Sequence, residues 1–496
     1  MPPAVRTCTA TARRVLAALA LAVGGVLAVP AGADDAPSEF QRLPDMGGPA
    51  SGALPVARER DLGDRMMREV RRHLSLVDDP EVHHYVQDLG HRLVAHAENP
   101  GFSFNFFVVD RPEINAFAMP GGHIGLHAGL IRETESESEL GGVVAHEIAH
   151  VTQRHIARNY AQAQRLNLQT AAAILAAILV GSQDAQAGSA AAMAGIAAPI
   201  QQQLSYSREF EREADRVGLR IMTAGGLDPY GMPRFFERLD EASRHAEQPP
   251  EYLSTHPLTR QRLTETRGIA DRYAGGDVFE SGDHPYIRAR LQVRHEDTAG
   301  QAVARMRDEL RRAEDPSQRH GALYGLALAL GRDGRFEEAR SVLDGLEQQQ
   351  GERLLVLLAR AEIEREADRL DEALAAYERA GDIYPTHPAR LHRHGETLLM
   401  ADRPGEAREL LAPHTRRNGR HPELLRLLAE AAHNSGRETE GHLALARYYH
   451  ARGEFNHAMR QLDQAINAGD EDRFRKAQAE ALRDRWQEDL ERRPER

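Results

Sequence analysis

Cysteine is almost missing from this chain of 496 residues: the only one is Cys8. It lies ahead of an apolar run at 15–29, inside a segment that reads as an export signal, and is not placed for lipid attachment. Arg6, Arg13 and Arg14 form a basic n-region, VLAALALAVGGVLAV an apolar h-region, and Ala31-Gly32-Ala33 a small-x-small cleavage site. The alternative, an N-terminal membrane anchor, asks for a longer run. Cleavage after Ala33 leaves no thiol. That excludes disulfides and cysteine-ligated metal, and suits an oxidising compartment. The style of the signal points to a bacterial periplasm.

Positive charge is also short. The formal net charge is -12, and removing three arginines and no acid with residues 1–33 takes 63 basic against 75 acidic residues to -15. No basic domain or stripe stands out, which argues against nucleic-acid binding. Runs long enough to span a bilayer are missing too. AAAILAAILV (171–180) and AAAMAGIAAPI (190–200) each reach about half a span. Together, 171–200 read as a helical hairpin of the domain, with peripheral membrane or partner contact as the alternative. With 41% hydrophobic and 28% charged residues the chain builds ordinary cores and is not a membrane bundle.

Length suggests about two to four domains. Residues 34–60 are rich in Pro, Gly, Ala and Asp and read as a flexible leader. From 61 to 271 the pattern is mainly helical, with strand-like FSFNFFVVD (102–110). NAFAMPGGHIGLHAGLI (115–131) reads as a strand, a Pro-Gly-Gly turn and a second strand or helix entry. Residues 272–290 are taken as a linker. From 291 to 496 the composition turns to Ala-, Leu- and Arg-rich helices with an internal period: GRFEEAR (334–340), DRLDEAL (368–374) and DRPGEAR (402–408) are 34 residues apart. That is the tetratricopeptide period, with small Ala339, Ala373 and Ala407 where paired helices approach. A generic α-solenoid is the blander reading. Such arrays offer a concave face to peptides or proteins.

The chemistry lies in VVAHEIAHVTQRH (143–155). His146 and His150 share one face of a helix and can grip one ion, with Glu147 facing the same cavity. Ser136–Glu139 and Thr134–Glu137 both fit a capping box that starts this helix. Gly141-Gly142 costs it about 1 kcal/mol per glycine relative to alanine, so something packs close there. A second amphipathic helix, YSREFEREADRVGLRIMTAGG (206–226), offers Glu211 as a third ligand and Asp215 one turn on as partner to the distal nitrogen of a ligand histidine. The bland alternative is a solvated acidic face interleaved with Arg208, Arg212 and Arg216. His256, in STHPLTRQRL, is either a surface histidine or a group that reaches the cavity. There it would stabilise an oxyanion or occupy the open metal position. Arg260 and Arg262 read mostly as solvated. His123, His127 and His155 are assigned no ligand role.

HExxH followed by ExxxD, with NAFAMPGG before and STHP after, resembles the zinc metalloprotease family of the CAAX prenyl endopeptidase and HtpX type. With an export signal and a repeat array it is most similar to the periplasmic BepA-like subgroup. The resemblance implies a mainly α zincin-type domain with a small β-hairpin, followed by a tetratricopeptide α-solenoid. It implies one Zn2+ per chain on His146, His150 and Glu211, with Glu147 as base. Its substrates would be unfolded or misassembled outer-membrane proteins, and its repeats would dock substrate or assembly machinery. A substrate strand pairing with Asn115, Ala116, Phe117 and Ala118 by β-addition suits a protease indifferent to side chains. The competing function is a chaperone or adaptor whose protease is mostly latent. A purely structural repeat scaffold leaves the first 270 residues unexplained.

Overall fold

A computed structural model describes residues 54–98, 101–164, 208–245, 250–415 and 421–491, all within one compact unit, 47–496. The export signal and the apolar pair at 171–200 lie outside the described residues.

The first helix, α1 (Val56–His73), starts inside the expected leader. Its buried Glu59 explains the early start: it accepts a 2.9 Å bond from Arg154. Helix α2 (Pro80–Val94) is capped by Asp79, whose carboxylate accepts from the Val82 amide. Three short strands follow, β1 (Asn105–Val109), β2 (Ala116–Met119) and β3 (His123–His127). Their order is β1-β3-β2, parallel on the β1 side and antiparallel on the β2 side. Between β2 and β3, Gly121 and Gly122 take φ of 80° and 89°. That region favours glycine, and a Cβ on Gly122 would also sit 2.9 Å from Phe102. Leu76 bridges to Val109 on the outer side of β1, whereas β2 is the free edge among the described residues.

Short α3 (Ala128–Glu133) leads into α4 (Glu137–Thr152), which carries HExxH and is buried from Glu137 to Val151. Ser136 is its N-cap and accepts from the Glu139 amide, but the Glu139 carboxylate turns to the Glu135 amide instead of closing the box. Thr134 does not cap α4; it closes α3, its amide donating to the Leu130 carbonyl, and its hydroxyl meets His284 Nε2 at 2.9 Å. The paired glycines have the expected cause. A Cβ on Gly141 would lie 2.2 Å from Leu227, and one on Gly142 3.0 Å from the Met232 backbone. Helix α5 (His155–Gln164) follows; α6 (Arg208–Ala224) then crosses α4 so tightly that a Cβ on Gly218 would meet the His146 nitrogen at 3.0 Å. Helices α7 (Gly231–His245), α8 (Glu251–Thr255) and α9 (Arg260–Tyr273) complete this part.

The next helix, α10 (His284–His295), runs through both the expected linker and the boundary at 291. Its Tyr286 and Ile287 share one core with Leu126 and Val143 on one side and Leu330 and Ile363 on the other. Eleven helices from Ala299 to Glu491 then follow among the described residues. Gly334, Asp368, Asp402 and Gly436, each 34 residues after the last, all take left-handed φ between 55° and 73°. Ala339, Ala373 and Ala407 are fully buried, and Gly441 occupies the next such position against the His433 ring. The repeats turn back onto the first part of the chain. Arg290 and Arg393 reach Asp79 and Glu81 at the start of α2, at 2.7 Å and 3.0 Å respectively for the nearest atoms. Arg68 and Arg71 of α1 reach the Gly453 and Arg452 carbonyls at 3.4 Å.

Candidate metal centre

His146 and His150 project from α4 with their Nε2 atoms 3.0 Å apart. Glu211, from α6, brings its carboxylate within 3.5 Å of each. It stands there because α4 and α6 touch backbone to backbone at Gly218. His256, at the end of α8, places Nδ1 3.2 Å from Glu211 and 3.4 Å from His146 Nε2. All four side chains are buried. A tetrahedral ion with bonds of about 2.0–2.1 Å needs donors roughly 3.3–3.4 Å apart, and the spacings given span 3.0–3.5 Å. Imidazole and carboxylate are also the donor types a borderline divalent ion takes without cysteine. The residues fit a metal.

The field agrees. Burial works against a charge on His146, but Asp215 and Glu211 outweigh it and hold its pKa at about 9. A field that favours a proton there favours any cation. Burial opposes ionisation of Glu211 too, yet His256, His146 and His150 keep it well below the usual carboxylate range. His150 is pushed down by burial and by His146. Glu147 is fully buried and its pKa is raised, chiefly by loss of water. Its Oε1 is 3.4 Å from His256 Nε2.

Asp215 sits where a turn beyond Glu211 should put it, with Oδ1 3.0 Å from His146 Nδ1. It is itself held by Arg262 through two 2.7 Å bonds. The same guanidinium lies 2.9 Å from Glu211 and donates to the Pro257 carbonyl. Arg260 is exposed, but the reading of Arg262 as solvated is corrected: it is buried. The available signal was its place on one face of α9 with Thr266 and Ala270, all three buried at a spacing of four. His155 was also passed over, and its Nδ1 lies 2.9 Å from His150 Nδ1. His123 meets Asp64 and Asn105 away from the centre, and His127 packs on Phe117. Of the strand residues, Asn115 and Ala116 are buried while Phe117 and Ala118 are half-buried on the free edge beside α4.

A buried ion-binding set of this kind, with a glutamate between the two histidines and an open-edged strand alongside, defines a metalloprotease. The model of peptidase family M48 matches residues 80–270, and a tetratricopeptide repeat model matches 364–431. The beta-barrel assembly-enhancing protease of Escherichia coli K12 is 33% identical over 446 residues, 90% of each chain. Its namesake in Yersinia pestis is 32% identical over 85% of this chain and 87% of its own. The mitochondrial metalloendopeptidase OMA1 of Danio rerio is 29% identical over 41% of this chain and 43% of its own. The chain belongs to the M48 metalloproteases and, within them, to the family of the beta-barrel assembly-enhancing proteases. Among the described residues no helix is long and apolar enough to cross a membrane.

Proposed function

We propose that the protein is a periplasmic endopeptidase, carrying one Zn2+ per chain, that cleaves unfolded or misassembled outer-membrane proteins. Its protease part, expected at 61–271, and its repeat part, expected at 291–496, join through α10 over a shared core, and export proceeds through cleavage after Ala33. His146, His150 and Glu211 hold the ion, and Asp215 fixes the His146 tautomer. Zinc in such a site supplies Lewis acidity, acidifying water and polarising a carbonyl. Glu147 takes the proton of the attacking water and hands it to the leaving amine. A substrate segment adds to the β2 edge along Asn115–Ala118, held by backbone bonds. The repeats dock substrate or the assembly machinery, and 171–200 is a candidate for peripheral membrane contact.

The observation that carries this reading is the convergence of four buried side chains from α4, α6 and the end of α8, their donor atoms within 4.8 Å of one another. Its test is metal analysis of the mature chain beside Glu147→Gln on casein. One zinc per chain is expected in both proteins, with turnover lost in the variant. Metal-free protein, or a variant that cleaves as well as its parent, rejects the reading.

The second reading, a chaperone or adaptor with a mostly latent protease, draws on His256. Its Nδ1 lies on the Glu211 and His146 donors, where the fourth ligand of a tetrahedral ion belongs. Of the two roles open to it, occupation of that position is the better supported. The resting enzyme is then closed, and substrate engagement must draw the α8 end away.

A further inference from the structure

The two ligand histidines are steadied differently at their distal nitrogens. His146 Nδ1 meets a carboxylate, Asp215. His150 Nδ1 meets another imidazole: His155 Nδ1, at 2.9 Å. His155 is fully buried, and its Nε2 lies 3.2 Å from Glu213. Its ring stacks on Phe210, centroids 4.6 Å apart and planes 10° apart. Arg158 lies over the Phe210 ring at 4.3 Å and pairs with Glu213 at 2.8 Å. Thus one helix, α6, supplies Glu211 to the ion cluster and Glu213 and Asp215 to groups behind it.

The protons can be placed in one consistent way. For His150 to present the Nε2 lone pair, its proton must sit on Nδ1, which donates to His155 Nδ1. His155 then carries its own proton on Nε2 and donates it to Glu213. Stacking on Phe210 keeps the second ring from turning. From this geometry we infer that His155, anchored by Glu213, is a positioning residue that fixes the tautomer and rotation of His150 toward the metal. The inference rests on the proposed ligand set. Partners of this kind change metal affinity by about 10–100-fold when removed.

The test uses the mature chain, stripped of metal and titrated with zinc against a competing chelator. His155→Phe keeps the stack on Phe210 but neither accepts nor donates; it should weaken zinc about 10–100-fold. His155→Gln can accept from His150 and donate to Glu213, and should stay within about threefold of the parent, by the same logic. Glu213→Ala, at a carboxylate that reaches the surface, should weaken zinc in the same direction as His155→Phe even if the latter folds poorly. Thermal midpoints of the metal-free proteins separate folding from binding. Parental zinc affinity in His155→Phe, or equal losses in the Phe and Gln variants, overturns the relay while leaving the ligand set standing. A parent that binds no zinc overturns both.

Discussion

The His256 ring lies against the Tyr252 ring, with centroids 4.6 Å and planes 27° apart. The His256 amide also donates to the Tyr252 carbonyl, so the ring is anchored to the last turn of α8. Replacing His256 by alanine should raise hydrolysis of an unfolded substrate severalfold and leave zinc near one per chain. Tyr252→Leu, which removes only the stacking surface, should give a smaller rise. Activity and zinc content falling together in His256→Ala would count against the proposed closing role of His256.

Arg262 is a buried cation whose charge is answered by Asp215 and Glu211. Taking away one member of such a set leaves an uncompensated charge and costs about 3–5 kcal/mol. Arg262→Met should therefore lower the urea midpoint strongly, whereas Arg262→Met with Asp215→Asn should lose less than the two single changes added together. Additive losses would mean that the two residues act separately.

Where the repeats meet the protease, Arg393 lies on Glu81 and Asp79, and Arg290 reaches the same carboxylates and Glu362. Burial disfavours ionised Glu81, but Arg290 and Arg393 hold it below its ordinary range. Arg393→Met should destabilise the whole chain by about 3 kcal/mol in chemical denaturation. A change below about 0.5 kcal/mol, the level of a surface pair, would assign the cluster no structural weight.

Acid should weaken the fold. Burial pushes His84 down to about 2, with His83, His421, His387 and His392 adding to the effect. His387 falls to about 4 and His284 to about 3, again chiefly through burial. These rings are neutral in the fold and take a proton on unfolding once pH drops below their ordinary 6.5. Their contribution is therefore whole above that value and lost as pH falls from 6.5 toward the folded values. The loss is on the order of 1–2 kcal/mol per ring at pH 5. Glu366, raised to about 7 by burial, His146, held at about 9, and the buried Glu59 and Glu139, also raised, act in the opposite sense. Thermal midpoints at pH 7.5 and 5.0 should differ by several degrees, and His84→Phe should narrow the gap. A midpoint that does not move on acidification rejects the account.

The convergence of these side chains was legible because a helix fixes the angle between residues four apart, so His146/His150 and Glu211/Asp215 each carry their geometry locally. The 34-residue period was legible for a similar reason, since each turn needs the same backbone conformation at 334, 368, 402 and 436. His155 was not. On a continuing helix it would stand about 140° round from His150. Instead α4 ends, Arg154 takes φ of 54°, and the chain swings the imidazole back behind its predecessor. Arg262, Arg290 and Arg393 were hidden by number. In an arginine-rich chain, only packing between distant elements decides which guanidinium is buried.

The core that holds Leu126, Tyr286 and Ile363 together has no seam at the residue where the domains were divided. Peptidase and array are thus neither a tool nor a handle that can be unscrewed from one another. Calorimetry of the intact chain should register a single melting event, and scission between 271 and 291 should strand two sticky fragments in place of two working halves. A pull on the helices up to Ile363 would therefore be felt in the packing beneath the helix that carries His146 and His150.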